Sequence, residues 1–255
     1  MHDFNGNRSF VPHSNGNSNG TNGHGQNSPL ARAVLEDPTL ETRRINVAAG
    51  TVIYEPDAPA NFVHLIHRGQ VRIYQVSENG ESRLCEILGP DDWFGIAALA
   101  RASTYGVRAV AVGPTVLTEI KADRLLTSLS RRPDSLIELS RQLAQRFTVA
   151  REDAAELMFR DTNQRLINAL VRFAGTAAST PREDGVVLNI THSQLAQAVG
   201  AARETISLAL TQLRHQNLVR TGRNQLFFNP QALTRLKAEM RATTTVVVEE
   251  VANAG

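Results

Sequence analysis

The chain has almost no cysteine: Cys85 is the single thiol among 255 residues. One cysteine forms no internal disulfide, which fits a reducing compartment, and it holds no iron–sulfur cluster unaided. No apolar run approaches the roughly 20 residues that a membrane helix requires. The opening MHDFNGNRSF is polar and lacks the apolar stretch of a secretory leader, so a cytoplasmic protein without a membrane partner is expected. Also absent are a GxSxG elbow, an HExxH pair, a phosphate-cradling Walker loop and clustered metal ligands. The expectation is therefore a protein that is not an enzyme and carries no metal or cofactor. His2, His13 and His24 match no metal-ligand spacing, and Asp91-Asp92 reads as a turn.

Neither sign of charge dominates overall, with 27 basic and 25 acidic side chains giving a net +2. The charge is unevenly placed, however: residues 160–242 carry eleven basic side chains against five acidic ones. Such a segment has the electrostatic footprint of one that meets phosphates. With 42% hydrophobic residues, the chain is long enough for two small domains, each with its own core.

Residues 1–28 are rich in Asn, Gly and Ser without apolar periodicity, and are expected to be a disordered tail. From Ile45 to Ile120, short β-rich runs alternate with glycine or proline punctuation. The clearest strands are Thr51–Tyr54, Phe62–His67, Gln70–Val76, Ser82–Leu88 and Thr115–Ile120, with Asn79-Gly80 as a hairpin signal. Many short strands at regular spacing imply a compact barrel or roll. Residues 134–158 then turn helical, with Leu136, Leu139, Leu143, Phe147, Ala150, Ala154 and Leu157 stepping by three or four. That seam is expected to form a dimer contact. A second helix is expected over Thr162–Phe173, then a polar loop TAASTPREDG and a short strand Val186–Ile190.

The most informative stretch is 192–211, HSQLAQAVGAARETISLALT. Leu195, Ala196 and Val199 form the inner face of one short helix, and Ile206, Ala209 and Leu210 that of another. Between them Gly200 allows the tight, positive-φ turn, and Ala196 is small enough for the helices to approach. Arg203, Glu204 and Ser207 then fall outward in the first turns of the second helix, where a recognition helix meets base edges. In LVRTGRNQLFF, turn residues Gly222-Arg223-Asn224 between β-compatible flanks read as a wing hairpin, with Arg220 and Arg223 available to flanking phosphates. Pro230–Arg241 reads as a terminal helix, and 243–255 as a tail.

A glycine-punctuated β-roll, a long helix and a winged helix-turn-helix, in that order, resemble the cyclic-AMP receptor/FNR (Crp/Fnr) family of bacterial transcription regulators. The residues that carry the likeness are AGTVIYEPDAPANFVHLIHRGQVRIY at 49–74, LGPDDWFGIAAL at 88–99 and VGAARETISLAL at 199–210. The resemblance implies an α+β chain with a cyclic-nucleotide-binding-like β-roll over 29–132, a dimerisation helix over 133–160 and a DNA-binding domain over 161–242. It implies a homodimer on an inverted repeat of double-stranded DNA, working with RNA polymerase. Arg203 and Glu204 match the family's base-reading pair, for guanine and for a cytosine amine. Ala202 and Ser207 lie beside them, and Thr191, Ser193 and Gln194 anchor the first helix. Leu208 stands where members often carry a second arginine. It cannot grip guanine, although it fits a thymine methyl.

For the effector, the resemblance places the pocket on Gly95, Ile96 and Ala97 and on the later Ser103, Thr104, Tyr105 and Arg108. Members that bind cyclic AMP have a Glu after the glycine, and an Arg-Ser or Arg-Thr pair that clasps the phosphate. Here Ile96 and Ser103-Thr104 stand instead, so cyclic AMP is not expected. The GIAAL stretch resembles that of nitrogen-control members sensing 2-oxoglutarate, whose arginine has Arg108 as its nearest counterpart and Tyr105 in its place. His64 and His67 point to opposite strand faces and cannot share one haem iron; each is expected at the surface. Cys85 is expected to be a small core residue. The effector stays unassigned, and the alternative function is a β-roll sensor acting through protein contacts with weakened DNA specificity.

Overall fold

The computed structural model describes residues 37–38 and 40–240, Phe159 by its backbone alone. The tails expected at 1–28 and 243–255 lie outside the described residues.

Eight strands make two antiparallel four-stranded sheets. They are β1 (Thr42–Val47), β2 (Val52–Tyr54), β3 (Phe62–Arg68), β4 (Val71–Val76), β5 (Ser82–Leu88), β6 (Trp93–Phe94), β7 (Arg108–Ala111) and β8 (Thr115–Lys121). One sheet has the order β1-β8-β3-β6, the other β2-β7-β4-β5. Their shared interior is apolar: Leu65, Ile66, Val71, Leu117 and Ile120 are all buried. Each such side chain contributes about 1.5–3 kcal/mol by leaving water. The β4–β5 hairpin turns at Gly80 with φ +80°, the backbone that Asn79-Gly80 encodes.

Sequence patterning missed β1, β6 and β7. β1 is an edge strand, mostly exposed, and its TRRINV shows no clean alternation. Its register is held by an ion pair: Arg43 Nε donates to Glu119 Oε2 on β8 at 2.8 Å. Glu119 is drawn down to about 2, first by its hydrogen bond with His64 and then by that with Arg43, against the effect of burial. Its contribution to stability is therefore complete above the ordinary carboxylate pKa and is lost as pH falls towards 2.

After β8, α1 (Ala122–Ser130), also unexpected, buries Leu125 and Leu129 against the roll. α2 (Pro133–Phe159) starts with Pro at its first turn, where a missing N–H costs nothing. Of the expected seam, Leu139 is turned into the roll and buried, whereas Leu136, Leu143, Phe147 and Leu157 are exposed. Arg146 ties α2 to the roll, donating to Trp93 O and pairing with Glu86 at 3.6 Å.

Next to that anchor, Asp92 Oδ2 accepts a hydrogen bond from Gly89 N at 2.8 Å. Burial raises the Asp92 carboxyl to about 6, only partly offset by the Gly89 donor and Arg146. A raised carboxylate favours folding below its unfolded value, and that contribution is lost as pH rises through 6. Asp92→Asn keeps the acceptor for Gly89 without the buried charge. It is expected to stabilise the protein by on the order of 2 kcal/mol at pH 7.5, and not at all below about pH 4. Urea unfolding at the two pH values checks this, and an equal effect at both would contradict it.

α3 (Thr162–Phe173) is capped by Asp161, whose side chain accepts from Gln164 N. The segment expected as a polar loop contains β9 (Ser179–Arg182), paired with β10 (Gly185–Leu188). β9 is an edge strand, which is how it tolerates Pro181. β10 ends at Leu188, two residues before the expected Ile190. Asn189 O instead accepts from the buried guanidinium of Arg72 on β4 at 3.1 Å. β11 (Val219–Gly222) and β12 (Gln225–Phe228) complete a sheet in the order β11-β12-β10-β9, and residues 230–240 form the last described helix. Leu84 and Ile87 of β5 pack into this second core beside Leu166, Leu195 and Leu210, so the two domains share apolar surface.

Candidate nucleic-acid interface and effector segment

Two helices, α4 (His192–Val199) and α5 (Arg203–His215), form the helix-turn-helix. α4 opens on a reciprocal cap. Thr191 Oγ1 accepts from Gln194 N at 3.2 Å, and Gln194 Oε1 accepts from Thr191 N at 3.0 Å. It closes at Gly200 with φ +67°, whose N–H bonds to Ala196 O at 2.9 Å. A side chain there would be strained by the backbone itself. Leu195, Ala196, Ala198 and Val199 meet Ile206, Ala209, Leu210 and Leu213 in the core.

That packing decides which side chains of α5 remain outside. Arg203, Glu204, Thr205 and Leu208 are exposed, together with Ala202 and Ser193 at the adjoining ends. Ser207 is half-buried; its hydroxyl donates to Arg203 O at 3.0 Å and also lies 3.0 Å from His192 Nδ1. His192 was not anticipated: it lies fifteen residues away from Ser207, beyond any helical period, and only the folded turn brings the two together. The wing presents Arg220, 5.6 Å above the Phe227 ring, and an exposed Arg223 in the turn. Among the described residues of this domain, six arginines are exposed: Arg182, Arg203, Arg214, Arg220, Arg223 and Arg235. Phosphate-contacting surfaces need that density of positive charge.

In the β-roll, Gly95 adopts φ +75° and starts a 3₁₀ helix, Ile96–Ala100. A Cβ on Gly95 would sit 2.8 Å from Phe62 O, 3.1 Å from His64 Nδ1 and 3.2 Å from Tyr105 Cε1. Tyr105 stacks on Tyr54 at 3.7 Å between ring centres, and its hydroxyl donates to Phe62 O at 2.9 Å. His64 stacks on Phe94 at 4.7 Å. Aromatic side chains thus occupy the space beside Gly95.

His64 is not at the surface as expected: β3 is flanked by β8 and β6, which leaves its ring 3% exposed. Its Nε2 lies 3.4 Å from Glu119 Oε1, while Nδ1 has no partner. His67 is half-buried, 2.6 Å from Thr118 Oγ1, and burial lowers its pKa. Cys85 is also half-buried rather than in the core, and burial raises its thiol pKa. Arg108 is engaged by Glu55 at 2.7 Å. Ser103 is exposed, and Thr104 forms a β-bridge with Pro59.

A winged helix-turn-helix built onto a β-roll through one long helix defines a DNA-binding regulator with an appended sensor-type domain. Residues 44–132 match the model of the cyclic nucleotide-binding domain, and residues 164–236 match that of the Crp-like helix-turn-helix domain. The chain belongs to the Crp/Fnr family, whose members are transcription regulators and not enzymes.

Its relatives include the CRP-like cAMP-activated global transcriptional regulator of Mycobacterium tuberculosis, 28% identical over 217 residues, 81% of this chain and 92% of that one. The global nitrogen regulator of Synechococcus elongatus is 28% identical over 191 residues, 73% of this chain and 86% of its own. Among solved structures, a transcriptional regulator of the CRP/FNR family from Thermus thermophilus superposes with a TM-score of 0.65 at 25% identity. That match covers 77% of this chain and 98% of the other. Among the described residues no helix is long and apolar enough to cross a membrane.

Proposed function

We propose that this transcription regulator acts as a homodimer that reads an inverted-repeat operator with α5 in the major groove. In this reading 29–132 is the sensor domain, 133–160 the dimer helix and 161–242 the DNA-binding domain. The observation that carries it is the exposed Arg203-Glu204 pair on the first turn of α5, aimed outward by the Gly200 turn and the capped α4. Arg203 offers a planar fork to guanine O6 and N7, and Glu204 accepts from a cytosine amine. Thr191, Ser193 and Gln194 hold α4 against the backbone, while Arg220 and Arg223 contact phosphates at the flank.

Two copies are needed because one short recognition helix grips only a few base pairs. The exposed Leu136, Leu143, Phe147, Ala150 and Ala154, all on one side of α2, suit a second copy of the same helix.

The residues of the effector segment do not suit cyclic AMP. Ile96 offers no acceptor to a ribose hydroxyl, Ser103 offers no guanidinium to the phosphate, and Arg108 is held by Glu55. Tyr105 and Tyr54 fill the neighbouring space with their stacked rings. Selection from a random DNA library with the purified full chain, with and without cyclic AMP, tests the reading. A two-fold symmetric motif, the same in both arms, is expected. Enrichment of no motif in either arm would refute the DNA reading, and a motif only with cyclic AMP would refute the effector argument.

A further inference from the structure

The outward face of α5 is polar except at one position. Leu208, one turn beyond Glu204, is 69% exposed. Among the described residues from 160 to 240 it is the single exposed large hydrophobic side chain; the others belong to the β-roll or α2. Folding does not require it, because Ile206, Ala209, Leu210 and Leu213 already supply the buried face of α5. A branched apolar side chain neither donates nor accepts, so against guanine or adenine it would leave desolvated N7 and O6 or N6 groups unpaired. One major-groove feature complements it, the C5-methyl group of thymine.

Resting on the assignment of α5 as the recognition helix, we propose that Leu208 reads a thymine C5-methyl group within two base pairs of the pair that Glu204 contacts. Glu204 and Leu208 are one helical turn apart on the same face. Four residues advance about 6 Å along a helix, against ~3.4 Å per base pair, which sets the limit of two steps. The methyl contact replaces hydrogen-bonded readout at that position, so the half-site carries a T·A pair there. The same contact accepts the methyl group of 5-methylcytosine, which makes binding at that position sensitive to cytosine methylation.

The test uses the full chain and duplexes of its selected motif; parallel selection with Glu204→Ala locates the pair that Glu204 reads. Replacing the thymine by uracil removes only the methyl group. Wild-type affinity is expected to fall about fourfold for one half-site and about sixteenfold for both. Cytosine against 5-methylcytosine should show the same ratio. Leu208→Ala, which leaves the helix core untouched, should bind the members of each pair equally, and Leu208→Arg should select guanine in place of thymine. Equal wild-type affinity for thymine and uracil would overturn the proposal, as would a thymine–uracil difference that survives Leu208→Ala. A symmetric motif without thymine inside the two-step window overturns this inference alone. Failure to enrich any motif removes it together with the DNA-binding reading.

Discussion

Arg203→Ala is expected to weaken binding to the selected operator by about 1–3 kcal/mol per half-site, and to relax the preference at one base pair while leaving the others. The side chain is exposed at the first residue of α5, outside the packed face of Ile206, Ala209, Leu210 and Leu213. Its loss therefore removes the proposed contact to DNA without opening a cavity in the protein. The backbone carbonyl that receives the Ser207 hydroxyl is retained by alanine, so the helix end is also unchanged. Parallel selections with wild type and variant check this. A uniform loss at all positions would place Arg203 on phosphate instead of on a base. No change in specificity would favour a chain that signals through protein contacts.

The second large effect is expected at α2, the helix proposed to pair with a second copy of itself. Phe147 is 70% exposed on α2 and follows Leu143 by one turn, so Phe147→Asp puts a charge in the middle of the apolar face. In a dimer that charge would be desolvated against its symmetry mate, while in a lone chain it faces water. The variant is expected to be monomeric by light scattering, with an unchanged circular dichroism spectrum and melting temperature no lower than that of a wild-type monomer. DNA affinity should fall at least about a hundredfold, because the second half-site is then no longer held at high effective concentration. A dimeric Phe147→Asp variant with full affinity would put the contact elsewhere.

The parts of the fold legible in sequence were those with local periodicity. α3 falls at Thr162–Phe173 as its apolar spacing implies, and α2 extends the expected 134–158 by one residue at each end. The helix-turn-helix was readable because its small residue, glycine and apolar positions are fixed in register within twenty residues. β1 was not, since its stability comes from a partner strand and an ion pair 76 residues away. The same limit applies to His64. Alternation assigns it a face but does not reveal that β6 and β8 cover it on both edges. Helical spacing placed Arg203, Glu204 and Ser207 outward; Arg203 and Glu204 are exposed but Ser207 is half-buried, and its contact with His192 depends on the α4–α5 crossing. The stacking of Tyr105 on Tyr54 joins β2 to a loop about fifty residues downstream, and no short-range pattern encodes it.

Replacing the motif guanine assigned to Arg203 by 7-deazaguanine tests direct readout by α5 at its centre. The substitution removes the N7 acceptor from the major groove and leaves the base pairing intact. Wild-type protein is expected to lose about tenfold in affinity per half-site, as for one charge-assisted hydrogen bond, and Arg203→Ala to lose none. Undiminished wild-type binding to the 7-deazaguanine duplex would contradict recognition of that base by α5.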